Sequence, residues 1–249
     1  MRKYLFGVLL SMFGVLAAIY FFVGVPKVYE TAPLPSSIPH LFGDVKQPIG
    51  KVDIAAFYFV PKDKTELQVE NWFEVIDKNL QKLQAFHRFQ FLGKSEIEYR
   101  IYPEPIIGFQ ESRAYDTEQT EHGNPEALSR IALELEGRVP DIARAPEGAY
   151  RVIVIIYEGV GDAGSDNVAL LGRAFLTNEE YSLFAATFLA HEFYHTLGIP
   201  DGYIASAKVF PDGQQTSIEI LTSGDLMARI RIPIEYTYLQ RDTLRTMGL

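Results

Sequence analysis

The stretch His191-Glu192-Phe193-Tyr194-His195 sets two imidazoles and a carboxylate at a spacing that can do chemistry. On an α-helix, side chains four residues apart share a face, so both rings can point at one ion. Glu192 lies one position round from His191, turned away from a ligand position but able to reach a water on that ion. This is the His-Glu-x-x-His zinc pattern, with the glutamate as general base. The flanking residues Phe184, Ala185, Ala186, Phe188, Leu189, Ala190, Phe193 and Leu197 are apolar. Two histidines and a glutamate in so apolar a helix need partners, and a metal supplies one. The plain alternative is a pair of satisfied core histidines. With 5 His in 249 residues, a chance match is on the order of one per cent.

The residues that follow extend the pattern to His191-Glu192-x-x-His195-x-x-Gly198-x-x-Asp201. Gly198 lets the chain turn sharply off the helix. Asp201 can then swing back as a third, oxygen ligand, although Pro200-Asp201-Gly202 taken alone reads as an ordinary turn. Three protein ligands leave a fourth position for water, the arrangement of a catalytic rather than a structural zinc site. Asp212, Glu219, Asp225 and Glu235 are the rival acids downstream.

With Ser223-Gly224-Asp225-Leu226-Met227-Ala228 further on, the two segments resemble the metzincin metallopeptidases: a long zinc motif with a glycine turn, then a methionine turn. Metzincins usually end the zinc motif on a third histidine. The aspartate version, with Leu197-Gly198-x-Pro200-Asp201-x-Tyr203, is similar to snapalysin and the immune inhibitor A type. The resemblance implies a zinc endopeptidase with ligands His191, His195 and Asp201, base Glu192, and Met227 beneath the metal. It also implies that the strand before the zinc helix pairs with extended substrate. The matching segment is Asn167–Leu176, and Leu170, Leu171, Gly172 and Arg173 are the substrate-binding candidates. One position departs from the pattern. Where some metzincins carry a tyrosine two residues after the methionine, this chain has Arg229, so the oxyanion role stays open between Arg229, Tyr203 and neither.

The elements that must position these residues follow from periodicity. Lys51–Val60 and the apolar run Tyr150–Tyr157 read as strands, the second a central one. Glu96–Ile101 alternates as a half-buried strand, and Asn167–Leu176 is a further strand candidate. Thr65-x-x-Gln68 suggests a capping box for a helix carrying Val69, Trp72, Phe73, Ile76, Leu80 and Leu83. Pro125 opens a short helix closed by Gly137, with Leu128, Ile131 and Leu135 inward. The zinc helix should run from Asn178 to Leu197, with Thr177 as N-cap, Glu180 three residues on and a Leu176–Tyr181 staple. The order predicts an α/β (α+β layered) fold, a zincin-like mixed sheet with a central zinc-binding helix.

Domain organisation divides into three. Arg2 and Lys3 precede an uncharged run from Tyr4 to Val25, long enough to span a bilayer core. We expect residues 1–25 to be an uncleaved transmembrane anchor, with a cleaved signal as the alternative. The positive-inside rule then places the remainder outside the cytoplasm. Residues 26–50, rich in proline, read as a linker, and 51–249 as the metallopeptidase domain. The net charge of −9 argues against nucleic-acid binding. With Cys 0, disulfides and thiolate chemistry are excluded. The partners expected are a peptide or protein substrate and the membrane, and the sequence leaves oligomeric state open. The cofactor expected is one Zn2+. The loop Gly161–Asn167 offers oxygens suited to Ca2+, but it lacks a bidentate glutamate at loop spacing and reads better as plain loop. His40, His87 and His122 fit no ligand spacing. The two other readings of the chain are a catalytically inactive zincin-like binding module on a stalk and a zinc hydrolase of a non-peptide amide bond.

Overall fold

The computed structural model describes residues 38–115, 125–139, 141–142, 144–210, 213–220, 224–228 and 231–249. They belong to a unit spanning Ser36–Leu249. The expected membrane anchor lies outside the described residues, among which no helix is long and apolar enough to cross a membrane. The described chain opens with a hairpin, β1 (His40–Leu41) and β2 (Asp44–Pro48). Residues 38–50, expected as spacer, are therefore part of the fold. The His40 amide donates to the Met247 carbonyl at 2.8 Å and the Phe42 amide to the Leu197 carbonyl at 3.2 Å. Pro39 and Pro48 fit because a short hairpin tolerates proline that a central strand would not.

The main sheet is built from β3 (Lys51–Val60), β4 (Glu96–Ile101), β5 (Ile106–Ile107), β6 (Tyr150–Tyr157), β7 (Ala163–Ser165) and β8 (Val168–Leu171). Its order is β4-β3-β6-β8-β7, with β5 also pairing β3. β3, β4, β6 and β8 run parallel, and β7 is antiparallel to β8. Strands covered on both faces should read as unbroken apolar runs, as β3 and β6 do. One face carries Ala55, Phe57, Phe59, Ile153, Ile155, Val168 and Leu170. They pack with Leu128, Ile131 and Leu135 of α3 (Pro125–Arg138), which follows α1 (Trp72–Gln90) and the single turn α2 (Ser112–Tyr115). The other face is covered by α1 and by α5 (Glu179–His195), which follows the short α4 (Ala174–Thr177). A hairpin of β9 (Tyr203–Phe210) and β10 (Gly213–Ile220) and the helix α6 (Arg241–Thr246) complete the fold.

Three local expectations change. The Thr65–Gln68 capping box is a 3-10 turn instead, in which the Gln68 side chain donates to the Thr65 carbonyl at 3.0 Å, and α1 starts later, at Trp72. Thr177 closes α4 rather than capping α5, its hydroxyl donating back to the Arg173 carbonyl at 3.2 Å; the side chains of Glu180 and Tyr181 lie outside the described residues. Asn167–Leu176 is not one strand at an edge. Only Val168–Leu171 is extended, and it is paired on both sides. The edge belongs to β7, whose Ala-Gly-Ser is too short to show any periodicity.

α1 packs on α5 through a buried polar contact. His87 is fully buried, Nδ1 lying 3.0 Å from the Tyr194 hydroxyl and Nε2 2.8 Å from the Ser95 hydroxyl. Burial pulls the His87 pKa down to about 3, below an unfolded value of about 6.5. The neutral ring therefore contributes fully above about pH 6.5, and its stabilisation is lost as pH falls through the window toward 3, by up to about 1.4 kcal/mol per pH unit. Denaturant midpoints should fall between pH 6.5 and 4, and His87→Gln should fall less steeply. Equal slopes in the two proteins would contradict this assignment.

Candidate metal centre

α5 presents His191 and His195 one turn apart, and Gly198 ends the run with φ +82. The turn returns Asp201 to the same place. His191 Nε2 and His195 Nε2 lie 3.1 Å apart, and Asp201 Oδ1 is 3.1 Å from the first and 3.3 Å from the second. Zinc with ligands at about 2.0–2.1 Å in a tetrahedron needs neighbouring ligand atoms about 3.3 Å apart. Among the described residues, these three form the group able to hold a metal ion.

The outer contacts fix which ring nitrogens face the centre. His195 Nδ1 is 2.8 Å from the Ile199 carbonyl and His191 Nδ1 is 3.3 Å from the Leu226 carbonyl. A carbonyl only accepts, so each Nδ1 carries the hydrogen, and the Nε2 lone pairs point at each other and at a carboxylate. Such a centre requires a cation, either an added proton or a metal. The described geometry shows the same demand. Against burial, which pulls it down, the Asp201 hydrogen bond and the Glu192 charge raise the His195 pKa. Against burial, which pushes it up, hydrogen bonds to both rings hold the Asp201 carboxyl well below the usual carboxylate range.

The methionine turn supports both halves of the site through its backbone. Leu226 supplies the carbonyl facing His191, and the Met227 carbonyl accepts from the Gly202 amide at 2.8 Å, next to Asp201. Met227 is itself buried. Asp225 caps the turn, its Oδ1 accepting from the Met227 amide at 3.1 Å. Of the other rival acids, Glu235 pairs with Lys82 at 3.1 Å. Asp212, the Glu219 and Tyr203 side chains, Arg229 and His122 lie outside the described residues.

Glu192 is nearly buried beside the two histidines. Burial pushes its carboxyl up to about 7; the neighbouring histidines oppose this, and Asp162 and Asp201 add to it. Asp162 has no counterpart in the motif. It comes from the loop read as calcium-friendly, but its Oδ1 accepts the Gly172 amide at 2.8 Å, and the loop forms no ligand group among the described residues. Burial raises its pKa as well.

β7 lies directly on α5. A Cβ on Gly164 would stand 2.4 Å from the Glu192 carbonyl oxygen and 2.8 Å from His195 Cβ. Gly164→Val should therefore force the strand off α5 and cost about 1–3 kcal/mol, read as a lower denaturant midpoint. Gly50→Ala, with nothing within 4 Å of its added Cβ, is the neutral control. The substrate candidates lie in β8 and just after it. Leu170 and Leu171 are fully buried in β8, and its β7-facing and β6-facing hydrogen bonds are both taken. Gly172 and Arg173 bond within the protein, as described below. Among the described residues, the sheet edge next to β8 is β7.

Fold and site together define an α/β protein with a helix-borne His-His-Asp centre able to bind a metal. No family model matches the chain, and no curated protein sequence does. Among solved structures, it is similar to metalloproteinase-II from Bacteroides fragilis, with a TM-score of 0.46 and 12% identity over 86% of this chain and 55% of that one. It is also similar to OgpA from Akkermansia muciniphila in two crystal forms, with TM-scores of 0.44 and 0.45 and identities of 16% and 15%, over 89% of this chain and 63% of that one. The chain thus spans less than two thirds of the length of these proteins.

Proposed function

We propose that this chain is a membrane-anchored zinc endopeptidase facing away from the cytoplasm. The observation that carries the reading is the triangle of His191 Nε2, His195 Nε2 and Asp201 Oδ1, with the Glu192 carboxyl close enough to interact with all three residues. A zinc ion held there would acidify a water and polarise a carbonyl. Glu192 then takes the proton of the attacking water and returns it to the leaving amine. Among the described residues, the outer edge of β7 pairs with no strand, and it offers main-chain hydrogen bonds to an extended peptide, a strand-addition mode. Asp201 contributes a negative charge to the centre, which makes it less cationic than three histidines would.

An unfolded protein and a non-peptide amide substrate, offered in parallel, test the reaction class. Mass spectrometry should show new peptide termini from the first. Products only from the second would favour the amidase reading, and neither, with zinc bound, would favour an inactive binding module. The anchor is tested separately. Protease added outside intact cells should release a soluble body by cutting between residues 26 and 37. A body protected from external protease would show the orientation to be wrong.

A further inference from the structure

The loop that leads into β7 is held by a charge pair, a buried carboxylate with a partly exposed guanidinium, for which the proton path through Glu192 has no use. Glu158, the residue after β6, has a side chain only 1% exposed. It accepts hydrogen bonds from the Tyr58 hydroxyl at the end of β3 and from the Arg173 guanidinium beyond β8. Arg173 also donates to the Leu67 carbonyl at 2.7 Å, and the Tyr58 hydroxyl accepts from the Val69 amide at 3.1 Å. A buried carboxylate costs several kcal/mol unless it is paired and hydrogen-bonded, so these contacts are required and not incidental.

The same group closes on the β6–β7 loop. The Arg173 amide donates to the Gly159 carbonyl at 2.9 Å, and the Gly172 amide donates to Asp162 at 2.8 Å. A Cβ on Gly172 would lie 3.0 Å from the carbonyl oxygens of both Gly159 and Gly161, so the two backbones touch. Asp162 precedes β7, which seats Gly164 on the carbonyl of Glu192. Continuous contacts thus run from the Glu158–Arg173 pair through the loop to the strand edge beside Glu192.

We propose that Glu158 and Arg173 are positioning residues that fix the 159–162 loop, and through it the edge of β7, in register with Glu192 for an extended substrate. This deepens the peptidase reading and rests on it. Arg173, expected to touch substrate, acts at one remove, its guanidinium bonded to Glu158 and to Leu67. Breaking the pair leaves the three ligands and Glu192 in place. The loss therefore falls on substrate binding, which raises KM while sparing kcat.

The test uses the full zinc-loaded chain and the variants Arg173→Gln, Arg173→Lys and Glu158→Gln. Arg173 is partly exposed, so its variants should fold even if Glu158→Gln does not. Amide hydrogen exchange across residues 159–172 should quicken at least tenfold in Arg173→Gln, with α1 amides unchanged. On an unfolded protein substrate, KM should rise about tenfold with kcat within about threefold, and zinc content should hold at the wild-type level. Arg173→Lys, which keeps the charge opposite Glu158, should recover part of both. Unchanged exchange in 159–172, exchange quickened equally everywhere, or an unchanged KM in a folded variant would overturn the proposal. Should the wild type cleave no peptide, the peptidase reading falls, and the exchange measurement alone decides whether the pair holds the loop.

Discussion

Glu192→Gln should leave a folded, zinc-loaded protein that turns over peptide ~10²–10⁴ times more slowly than the wild type. The substitution keeps the size of the side chain and its capacity to hydrogen-bond, but removes the group that accepts a proton. None of the three ligand atoms belongs to Glu192, so metal content should be unaffected. The loss corresponds to about 3–5 kcal/mol of transition-state stabilisation. It should appear in kcat, because the proton moves only as the bond breaks. Wild-type turnover in Glu192→Gln, measured with zinc stoichiometry on the same sample, would remove this residue from the mechanism.

Asp201→Ala should strip the centre of zinc under mild chelation. Its carboxylate is the one charged ligand, and it closes the triangle with both Nε2 atoms. Asp225→Ala is the informative comparison. Asp225 holds the methionine turn and hence the carbonyl that orients His191, so its loss should weaken zinc by the ~10–100-fold typical of a partner that supports a ligand. Asp201→Ala should exceed that range, and Glu235→Ala, whose carboxylate is paired to Lys82, should show no change. Asp201→His should retain metal by placing a nitrogen donor where the carboxylate oxygen stood. Competition with a chelator of known affinity orders the four variants. An Asp201→Ala protein with wild-type zinc affinity would move the third ligand elsewhere.

Much of this centre was legible because its spacing is local. His191, Glu192 and His195 lie on one helical turn, and Gly198 and Asp201 on the turn that follows it, so helix period and glycine geometry suffice to bring the three together. The central strands were legible for a similar reason: burial on both faces writes itself into β3 and β6 as apolar runs. The expected substrate strand failed because edge and interior are decided by pairing, which periodicity does not encode. Val168–Leu171 is apolar because it is interior, between β6 and β7. The actual edge, Ala163–Ser165, is only 3 residues long and carries a glycine for close approach to the helix. The carbonyls of Ile199 and Leu226 that orient the imidazoles were invisible because backbone groups leave no residue-type signal. Asp162 could have been singled out as an acid in a glycine-rich loop before the zinc helix, but nothing in its spacing ties it to Glu192. Proline content misled at 38–50, where it marks a hairpin docked on the end of the chain.

The most direct measurement is cleavage of an unfolded protein by the purified full chain, followed through removal and return of zinc. The wild type should bind one zinc, cleave at internal peptide bonds, stop when the metal is chelated, and resume when one equivalent is restored. A chain that binds one zinc through His191, His195 and Asp201 and yet yields no new peptide termini would contradict the account.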